Sequence, residues 1–298
     1  MEPRAGHKPV LSNEVLEHLN LPEGGVYVDL NLGQGGHAAL VAARFRPSVI
    51  VGIDADPEAI AIASERLAGA APKLILAQAW SDEVGEILDR ERISRIDGAL
   101  YDLGLRSDQL ERSGRGFSFR ADEPLDMRMG PTADSTAAEL VNGLSEADLA
   151  ETIAVLGEDR HARRIARAIV ARRAVTPFTV SADLADTIRG AVPAAARHGK
   201  THAATKTFQA LRIATNGELS RLRASLPQVW DRLAPGGRLL AITFHSLEDG
   251  AVKRFLVGKS KAGEAALIAK KPIGSSEEEV AENPRSRSAK LRGATKPE

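Results

Sequence analysis

Three aspartates and one glycine-rich turn are the residues of this chain whose types and spacing best suit a chemical role. Asp29, Asp54 and Asp102 each end a run of apolar residues, and the turn Gly-Gln-Gly-Gly at 33–36 follows the first of them. Glycine lets the backbone approach a nucleotide-like ligand closely, because it has no Cβ atom. A carboxylate at the end of the following strand can accept hydrogen bonds from two ribose hydroxyls. The pattern therefore predicts a site for a ribonucleoside cofactor.

The glycine turn fits two classes of cofactor. Residues 33–38, GQGGHA, satisfy the loose G-x-G-x-x-A dinucleotide pattern, and Asp54 falls near the expected spacing. The same turn, preceded by the acidic Asp29, also fits the S-adenosylmethionine-dependent methyltransferases. A nicotinamide-dependent dehydrogenase and a methyltransferase are both compatible with this segment alone.

Two further residues follow or end strands and would reach the same crevice. Asp102 ends the strand predicted at 97–102, and ligands of open α/β sheets bind outside the carboxyl ends of the strands. Trp80 follows the strand predicted at 73–77 in a polar segment, in a chain with only 4% aromatic residues. We expect its ring to stack on adenine, and the alternative is a core tryptophan at a strand end.

Strands and helices that would position these residues alternate over the first hundred residues. The strands are predicted at 26–30, 49–53, 73–77 and 97–102, and the helices at 12–19, 37–45, 57–69 and 81–91. Ser12 or Asn13 can cap the first helix, and Pro57 suits the first turn of the third. Near-continuous apolar strands separated by helices favour a parallel sheet that is covered on both faces.

The alternation of strands and helices stops after Asp102. We interpret residues 106–201 as an all-helical insertion, and residues 1–105 with 202–298 as the core that contains the sheet. The helices of the insertion are predicted near 145–156, 159–173 and 181–192. The core resumes with a helix at 204–233, a strand at 238–244, a helix at 247–257 and an edge hairpin of 266–271 and 287–294, which 274–283 connects.

The composition limits the possible classes of protein. The chain has 40 basic and 40 acidic side chains and no cysteine, which excludes a disulfide framework and a thiolate metal site. Its apolar runs fall short of the roughly 20 residues that span a bilayer, and its first residues resemble neither a signal nor a transit peptide. We therefore expect a soluble, cytoplasmic protein without a membrane partner. The sequence has no clustered metal-ligand spacing, so no metal is predicted.

Two basic stretches differ from the neutral average. Residues 160–173 hold six arginines, and residues 285–292 hold three arginines and a lysine. Local basic stripes on a neutral chain can bind a phosphate backbone. The alternative is that both stretches are solvated surfaces.

Several long motifs, in order along nearly the whole chain, resemble those of the bacterial 16S rRNA (cytosine-N4)-methyltransferases and their organellar relatives. The motifs are HKPVL at 7–11, the glycine turn, IDADP at 53–57, DLG at 102–104, GRGFSFR at 114–120, PLDMRM at 124–129, ATKTFQALRI at 204–213, FHSLED at 244–249 and NPRSRSAKLR at 283–292. Such a series is far more specific than a single glycine loop.

The resemblance implies a Rossmann-like class I methyltransferase sheet with an inserted all-helical domain that recognises RNA. It implies S-adenosylmethionine as the methyl donor. The implied substrate is N4 of a cytosine near the decoding centre of small-subunit rRNA, either naked or in the assembled subunit. The cofactor-binding residues carried over are Gly35, Gly36, His37, Asp54, Trp80, Asp102 and Gln109. We also predict that Asp102 is the catalytic residue, and that it and nearby backbone carbonyls accept hydrogen bonds from the cytosine amine. The alternative for His37 is a helix-start residue that faces solvent.

The chain departs from the family pattern beside the presumed reaction centre. Arg106 stands in a segment that is usually small and serine-rich, so it could contact an RNA phosphate or hinder the target base. The alternative function is therefore a ribosome-assembly factor that binds rRNA with little or no catalysis. The oligomeric state stays open, a dimer included.

Two further motifs each have a structural alternative. The loop 114–129 alternates aromatic and charged residues and is predicted to form a wall of the substrate site, or else a packed loop with arginine–aspartate pairs. His245 and Asp249 resemble a catalytic pair, but we interpret the segment as a helix start that Ser246 caps.

Overall fold

The protein forms two compact units, which we describe separately. The computed structural model describes residues 9–71, 73–105, 109, 114–119, 122–131, 133–197 and 202–298. The sheet unit comprises Met1–Gly104 and Leu219–Glu298, and the helical unit comprises Leu105–Glu218. Residues 202–218, which the sequence suggested as part of the core, thus fall in the helical unit, because their helix packs on Glu146–Gly157.

The sheet unit is built on one eight-stranded sheet. Its strands are β1 Val26–Asp29, β2 Val49–Asp54, β3 Lys73–Gln78, β4 Ile96–Asp102, β5 Leu233–Thr243, β6 Ala266–Leu267, β7 Ile273–Gly274 and β8 Lys290–Thr295. The order is β3-β2-β1-β4-β5-β8-β6, with β7 also paired to β8. The first five strands are parallel, and β8 runs antiparallel to its neighbours. The strand order reverses between β1 and β4, as in doubly wound folds, and the predicted Rossmann-like sheet is confirmed.

Apolar residues cover the sheet on both faces, as predicted. Val28 and Ala99 belong to one buried cluster, and their chain neighbours Tyr27 and Leu100 belong to another. Side chains alternate between the two faces of a strand. A strand buried on both sides therefore needs the near-continuous apolar run that the sequence shows.

Thirteen helices are described. Those of the sheet unit are α1 Ser12–Leu19, α2 Gly36–Phe45, α3 Pro57–Arg66, α4 Val84–Arg90, α11 Glu218–Arg232, which begins at the unit boundary, α12 Ser246–Lys261 and α13 Glu277–Glu282. Those of the helical unit are α5 Ala137–Gly143, α6 Glu146–Gly157, α7 Ala162–Arg173, α8 Ser181–Ala191, α9 Ala194–Arg197 and α10 Thr205–Asn216. The described residues also form two short 3₁₀ turns, Ser81–Glu83 and Pro284–Ser288. Among the described helices, none combines the length and the apolar character that a membrane crossing requires.

Two predicted details are wrong. Leu11, not Ser12 or Asn13, precedes α1, and its own backbone N–H is bound by Glu279 Oε1 at 2.7 Å. The helix predicted at 204–233 is broken at Gly217, whose φ of +60° is left-handed and ends α10.

The final strands pair as predicted, because β6 and β8 are antiparallel and β6 lies at the edge of the sheet. β8 lies between β6 and β5, and it is antiparallel to β5 as well. Gly293 allows this close approach, because a Cβ atom there would lie 2.8 Å from the Leu239 carbonyl oxygen. The predicted connection 274–283 contains α13.

Candidate active site

Three aspartates end neighbouring parallel strands at one edge of the sheet. Asp29 pairs in register with Gly52 of β2 and with Leu100 of β4. Asp54 and Asp102 each lie two residues beyond those partners, so all three side chains leave the sheet on the same face. This edge, at the reversal of strand order, is where doubly wound folds bind their ligands.

The carboxylate of Asp54 holds the glycine turn in place. Its Oδ2 accepts a hydrogen bond from the backbone N–H of Gly33 at 2.8 Å, and its Oδ1 accepts one from Asp56 at 2.9 Å. A carboxylate oxygen can accept more than one hydrogen bond. This structural role is therefore compatible with the predicted binding of ribose by Asp54.

The glycines are required by the geometry of the turn. Gly33 and Gly35 have left-handed φ values of +53° and +74°. A Cβ atom on Gly36 would lie 2.8 Å from Pro9 Cγ. Gly35 caps α2 without a side chain, so the first N–H groups of this helix suit an anionic group such as a carboxylate.

His37 and Asp102 meet at this edge. Nε2 of His37 lies 3.6 Å from Oδ2 of Asp102 and has no hydrogen-bond partner among the described residues. The side chain of His37 is only 5% exposed, so the solvent-facing alternative is wrong. Burial lowers the pKa of His37 to about 4, although a hydrogen bond to the backbone of Val10 opposes the shift. His37 is therefore neutral at pH 7.

Burial, with a smaller contribution from neighbouring carboxyl groups, raises the pKa of two aspartates at this edge. Burial, followed by the charges of Asp29 and Glu248, raises the pKa of Asp102 to about 8. Burial also raises the pKa of Asp29 to about 7, although the Tyr27 hydroxyl donates a hydrogen bond to it at 3.1 Å. An unliganded site thus holds protons at neutral pH, and a positively charged ligand would favour their release.

Trp80 lies beside Asp54. The backbone N–H of Ala79 donates to the carbonyl oxygen of Asp54 at 3.0 Å, and the Trp80 side chain is 8% exposed. The guanidinium group of Arg221 covers one face of the indole at 4.4 Å and is held by Asp82 at 3.0 and 3.1 Å. One face of the indole is therefore already occupied.

Gln109, the seventh predicted cofactor residue, belongs to the helical unit. Its side chain is buried there, with 5% exposure. Arg106 lies outside the described residues. Six of the seven predicted cofactor residues therefore lie in the sheet unit, and Gln109 lies in the helical unit.

The loop predicted as a substrate wall is packed where the structure describes it. Arg115 donates to the carbonyl oxygens of Arg128 and Met129 at 3.2 and 3.1 Å, and Asp126 accepts two hydrogen bonds from the Arg128 side chain at 2.7 and 2.8 Å. Asn216 binds the backbone of the same loop. The alternative of a packed loop with arginine–aspartate pairs is confirmed for these residues.

The segment that begins α12 is a helix start, as interpreted, but its cap was assigned wrongly. His245, not Ser246, is the N-cap residue, and Glu248 Oε2 accepts from the backbone N–H of Phe244 at 2.9 Å. Asp249 forms an ion pair with Arg292 at 2.6 Å. Partial burial alone would raise the pKa of Asp249, but the hydrogen bonds and charge of Arg292, with the charges of Lys290 and Lys253, together keep it below its ordinary value.

Sequence reasoning missed the contribution of Glu248 to the site. This residue is 2% exposed, and its charge helps to raise the pKa of Asp102. The sequence motif that contains Glu248 was recognised. However, successive residues of a helix project about 100° apart, so the motif alone does not show which of its residues faces the site. Only the packing of α12 shows that Glu248 turns inward.

Comparison with known proteins gives one consistent result. The sequence profile of the MraW methylase family matches residues 4–297. A protein from Bradyrhizobium diazoefficiens named ribosomal RNA small subunit methyltransferase H is 44% identical over 304 residues, which covers 97% of this chain and 91% of the relative. A protein of the same name from Synechococcus elongatus is 46% identical over 293 residues, covering 96% and 93%. Another from Heliobacterium modesticaldum is 42% identical over 307 residues, covering 97% and 98%.

Proposed function

We propose, since this chain belongs to the MraW methylase family, that it transfers a methyl group from S-adenosylmethionine to N4 of a cytosine near the decoding centre of small-subunit rRNA. Family membership supports the methyltransferase interpretation of the glycine turn over the dehydrogenase one. The structural observation that carries the proposal is the meeting of His37 and Asp102 beside that turn.

The residues at the carboxyl edge of the sheet fit this cofactor. His37 Nε2 and Asn31 Oδ1 are buried polar atoms without a hydrogen-bond partner in the described part of the chain. Most buried polar atoms have a partner, so such atoms suit a polar ligand. Gly35, Gly36 and His37 would hold the methionine end. Asp54 would bind the ribose, Trp80 would stack on the adenine and Gln109 would close the site.

The chain's main chemical contribution would be to orient a weak nucleophile. S-adenosylmethionine would supply a methyl group activated by a positively charged sulfur. The amine of cytosine attacks poorly, because its lone pair is delocalised into the ring. Ionised Asp102 would accept a hydrogen bond from this amine and turn its lone pair toward the methyl group. Positioning of this kind can contribute about 7–11 kcal/mol.

Asp102 would also accept the proton that the amine loses. A neighbouring positive charge lowers the pKa of a carboxyl group, because it favours the ionised form. The loaded site would therefore hold Asp102 as an acceptor. A carboxylate whose pKa lies near neutrality can take up a proton from the methylated amine and pass it to water.

The test is transfer of label from methyl-labelled S-adenosylmethionine to small ribosomal subunits that lack the modification, followed by nucleoside analysis of the digested RNA. We expect labelled N4-methylcytidine. Naked small-subunit rRNA, tested in parallel, distinguishes the two forms of substrate. Binding of RNA and cofactor without label transfer would contradict the proposal and favour the assembly-factor alternative.

A second prediction concerns Trp80. Replacing Trp80 with leucine should weaken S-adenosylmethionine binding by about 5–100-fold, because base–aromatic stacking contributes about 1–3 kcal/mol. Equilibrium dialysis would measure the affinity. Trp230 is the other tryptophan of the chain, so the cofactor should quench the fluorescence of the unmodified protein but not of Trp80→Phe. Equal quenching in both proteins would contradict stacking on Trp80.

A further inference from the structure

The arginines of 160–173 divide into two groups with different surroundings. Arg172 binds Asp183 at 2.6 Å and the Thr176 carbonyl oxygen at 2.7 Å, and Arg173 donates to two carbonyl oxygens of neighbouring loops and helices. These two side chains fasten the end of α7 to the rest of the helical unit. They are structural residues and are not available to a partner.

The other group faces outward. Arg163, Arg164 and Arg167 are exposed, and the side chains of the first two form neither a hydrogen bond nor an ion pair with any residue that the structure describes. Arg167 has one distant partner, Glu146 at 3.7 Å, and its side chain is 80% exposed. Arg160, just before the helix, is also exposed, and its side chain donates a hydrogen bond to its neighbour His161 at 3.1 Å. We call these four residues the arginine face.

The arginine face lies opposite the buried side of α7. Ala162, Ile165, Ala166 and Ile169 are buried. At about 100° per residue, this buried stripe and the exposed arginines project in nearly opposite directions. An amphipathic helix that lies on a membrane must offer its apolar side to the lipid. The apolar side of α7 is already used inside the protein, which argues against a membrane as the partner.

The placement of these arginines does not help α7 to fold. Arg163 and Arg164 lie in the first turn, which contains no acidic residue, and His161 provides no side-chain cap. Positive charge near a helix N-terminus is unfavourable, because it opposes the helix dipole. The same end of the helix attracts anions, so the dipole and the arginines would act together on a bound phosphate.

We propose that the arginine face binds the phosphate backbone of RNA. Arg163 to Arg167 spans about 6 Å along α7, and Arg160 lies just before the helix. One strand of a duplex carries about two phosphates over that length. Arginine offers planar paired donors that match phosphate. This inference rests on the proposed function for the choice of RNA, but it concerns a surface of the helical unit and not the cofactor site.

The experiment compares two double variants that lose the same charge. Arg163→Gln with Arg164→Gln removes the centre of the arginine face, whereas Arg95→Gln with Arg223→Gln removes two exposed arginines of the sheet unit that have no described partner. Affinity for a fluorescent small-subunit rRNA fragment is measured without cofactor at several salt concentrations. We expect the first pair to lower affinity about tenfold or more at low salt. It should also reduce the slope of log K against log salt by about 1.4–1.8, that is, by about 0.7–0.9 per phosphate contact. The second pair should do neither.

The unfolding temperature distinguishes RNA binding from a structural role of these arginines, because loss of a structural role would lower it. The Arg163→Gln, Arg164→Gln variant should unfold at the same temperature as the unmodified protein or higher, because it removes charges that oppose the helix dipole. An unchanged salt slope, an equal change in the control pair or a lower unfolding temperature would each overturn the proposal. An unchanged slope would make an acidic protein surface the better partner.

Failure of this inference can be distinguished from failure of the proposed function. If N4-methylcytidine forms while the salt slope of the variant is unchanged, only the arginine face has been assigned wrongly. If the Arg163→Gln, Arg164→Gln variant shows the reduced salt slope while no label is transferred, the RNA-binding surface is supported and the proposed methyltransferase function is contradicted.

Discussion

Replacing Asp102 with asparagine should lower the rate of methyl transfer by about 10²–10⁴-fold, the usual contribution of a general acid or base. Asparagine keeps the shape of the side chain, but its amide cannot take up a proton. Its amide group can also present a donor where the cytosine amine needs an acceptor. S-adenosylmethionine should still bind, because the other six predicted cofactor residues, the glycine turn and Asp54 among them, are unchanged. Single-turnover label transfer and equilibrium dialysis measure the two quantities.

The same substitution should stabilise the protein at alkaline pH. The pKa of Asp102 is about 8 in the folded protein and close to 3.8 in the unfolded chain. Between these values the folded state keeps a proton that the unfolded state has lost. The free energy of unfolding therefore falls as pH rises from about 4 to about 8, and stays lowered above that. Asparagine does not ionise, so the variant does not lose this part of the free energy of unfolding. Asp102→Asn should therefore raise the unfolding temperature by several degrees at pH 8.5 and change it little at pH 4.

Asp97→Asn is the matched control for Asp102→Asn. Asp97 lies on the same strand, β4, but at its amino end, where Oδ2 accepts a hydrogen bond from the backbone N–H of Val26 at 2.7 Å. Asparagine can still accept this bond, so the rate of methyl transfer should stay close to that of the unmodified protein. A full rate in Asp102→Asn, or an equal loss in Asp97→Asn, would show that Asp102 does not orient the amine.

The parallel strands could be predicted closely because their signal is local. The run at 26–30 is apolar and β-branched, and the observed strand is Val26–Asp29. Pro57 was expected in the first turn of its helix and is the first residue of α3. Each of these features depends on neighbouring residues, which the sequence presents directly.

The contacts of the site could not be predicted, because they depend on strand order. His37 meets Asp102 only because β4 lies beside β1 in the sheet. Trp80 is covered by Arg221, a residue of a helix far along the chain. Most of these residues could be named from the resemblance to a known family. The resemblance did not show that burial lowers the pKa of His37 or that the charge of Glu248 raises the pKa of Asp102.

The helical unit shows a different limit of sequence reasoning. A helical period continues through Gly217, and glycine is tolerated within helices, so only the left-handed φ shows that α10 ends there. The six arginines near α7 also look alike in the sequence. Which of them face inward depends on the carbonyl and carboxylate groups that surrounding segments place within reach.

Replacing Gly116 with alanine should destabilise the helical unit by about 2–5 kcal/mol. Gly116 has a left-handed φ of +72°, which costs an alanine about 1–2 kcal/mol. Its Cβ atom would also collide with the carbonyl oxygen of Pro124, 2.3 Å away. Crowding of this kind costs about 1–3 kcal/mol. Pro124 cannot easily move, because that oxygen accepts from Asp126 at 2.9 Å and the next residue, Leu125, donates to Thr179 at 2.9 Å.

Gly114→Ala separates backbone strain from collision. Gly114 has a similar φ of +63°, but a Cβ atom there would meet nothing within 4 Å among the described residues. It should therefore lose only about 1–2 kcal/mol, and chemical denaturation would measure the difference between the two variants. Because the described part of this loop is packed, RNA affinity of Gly116→Ala should fall only as far as its folded fraction falls. A loss of RNA affinity at full stability would instead support the prediction that this loop forms a wall of the substrate site.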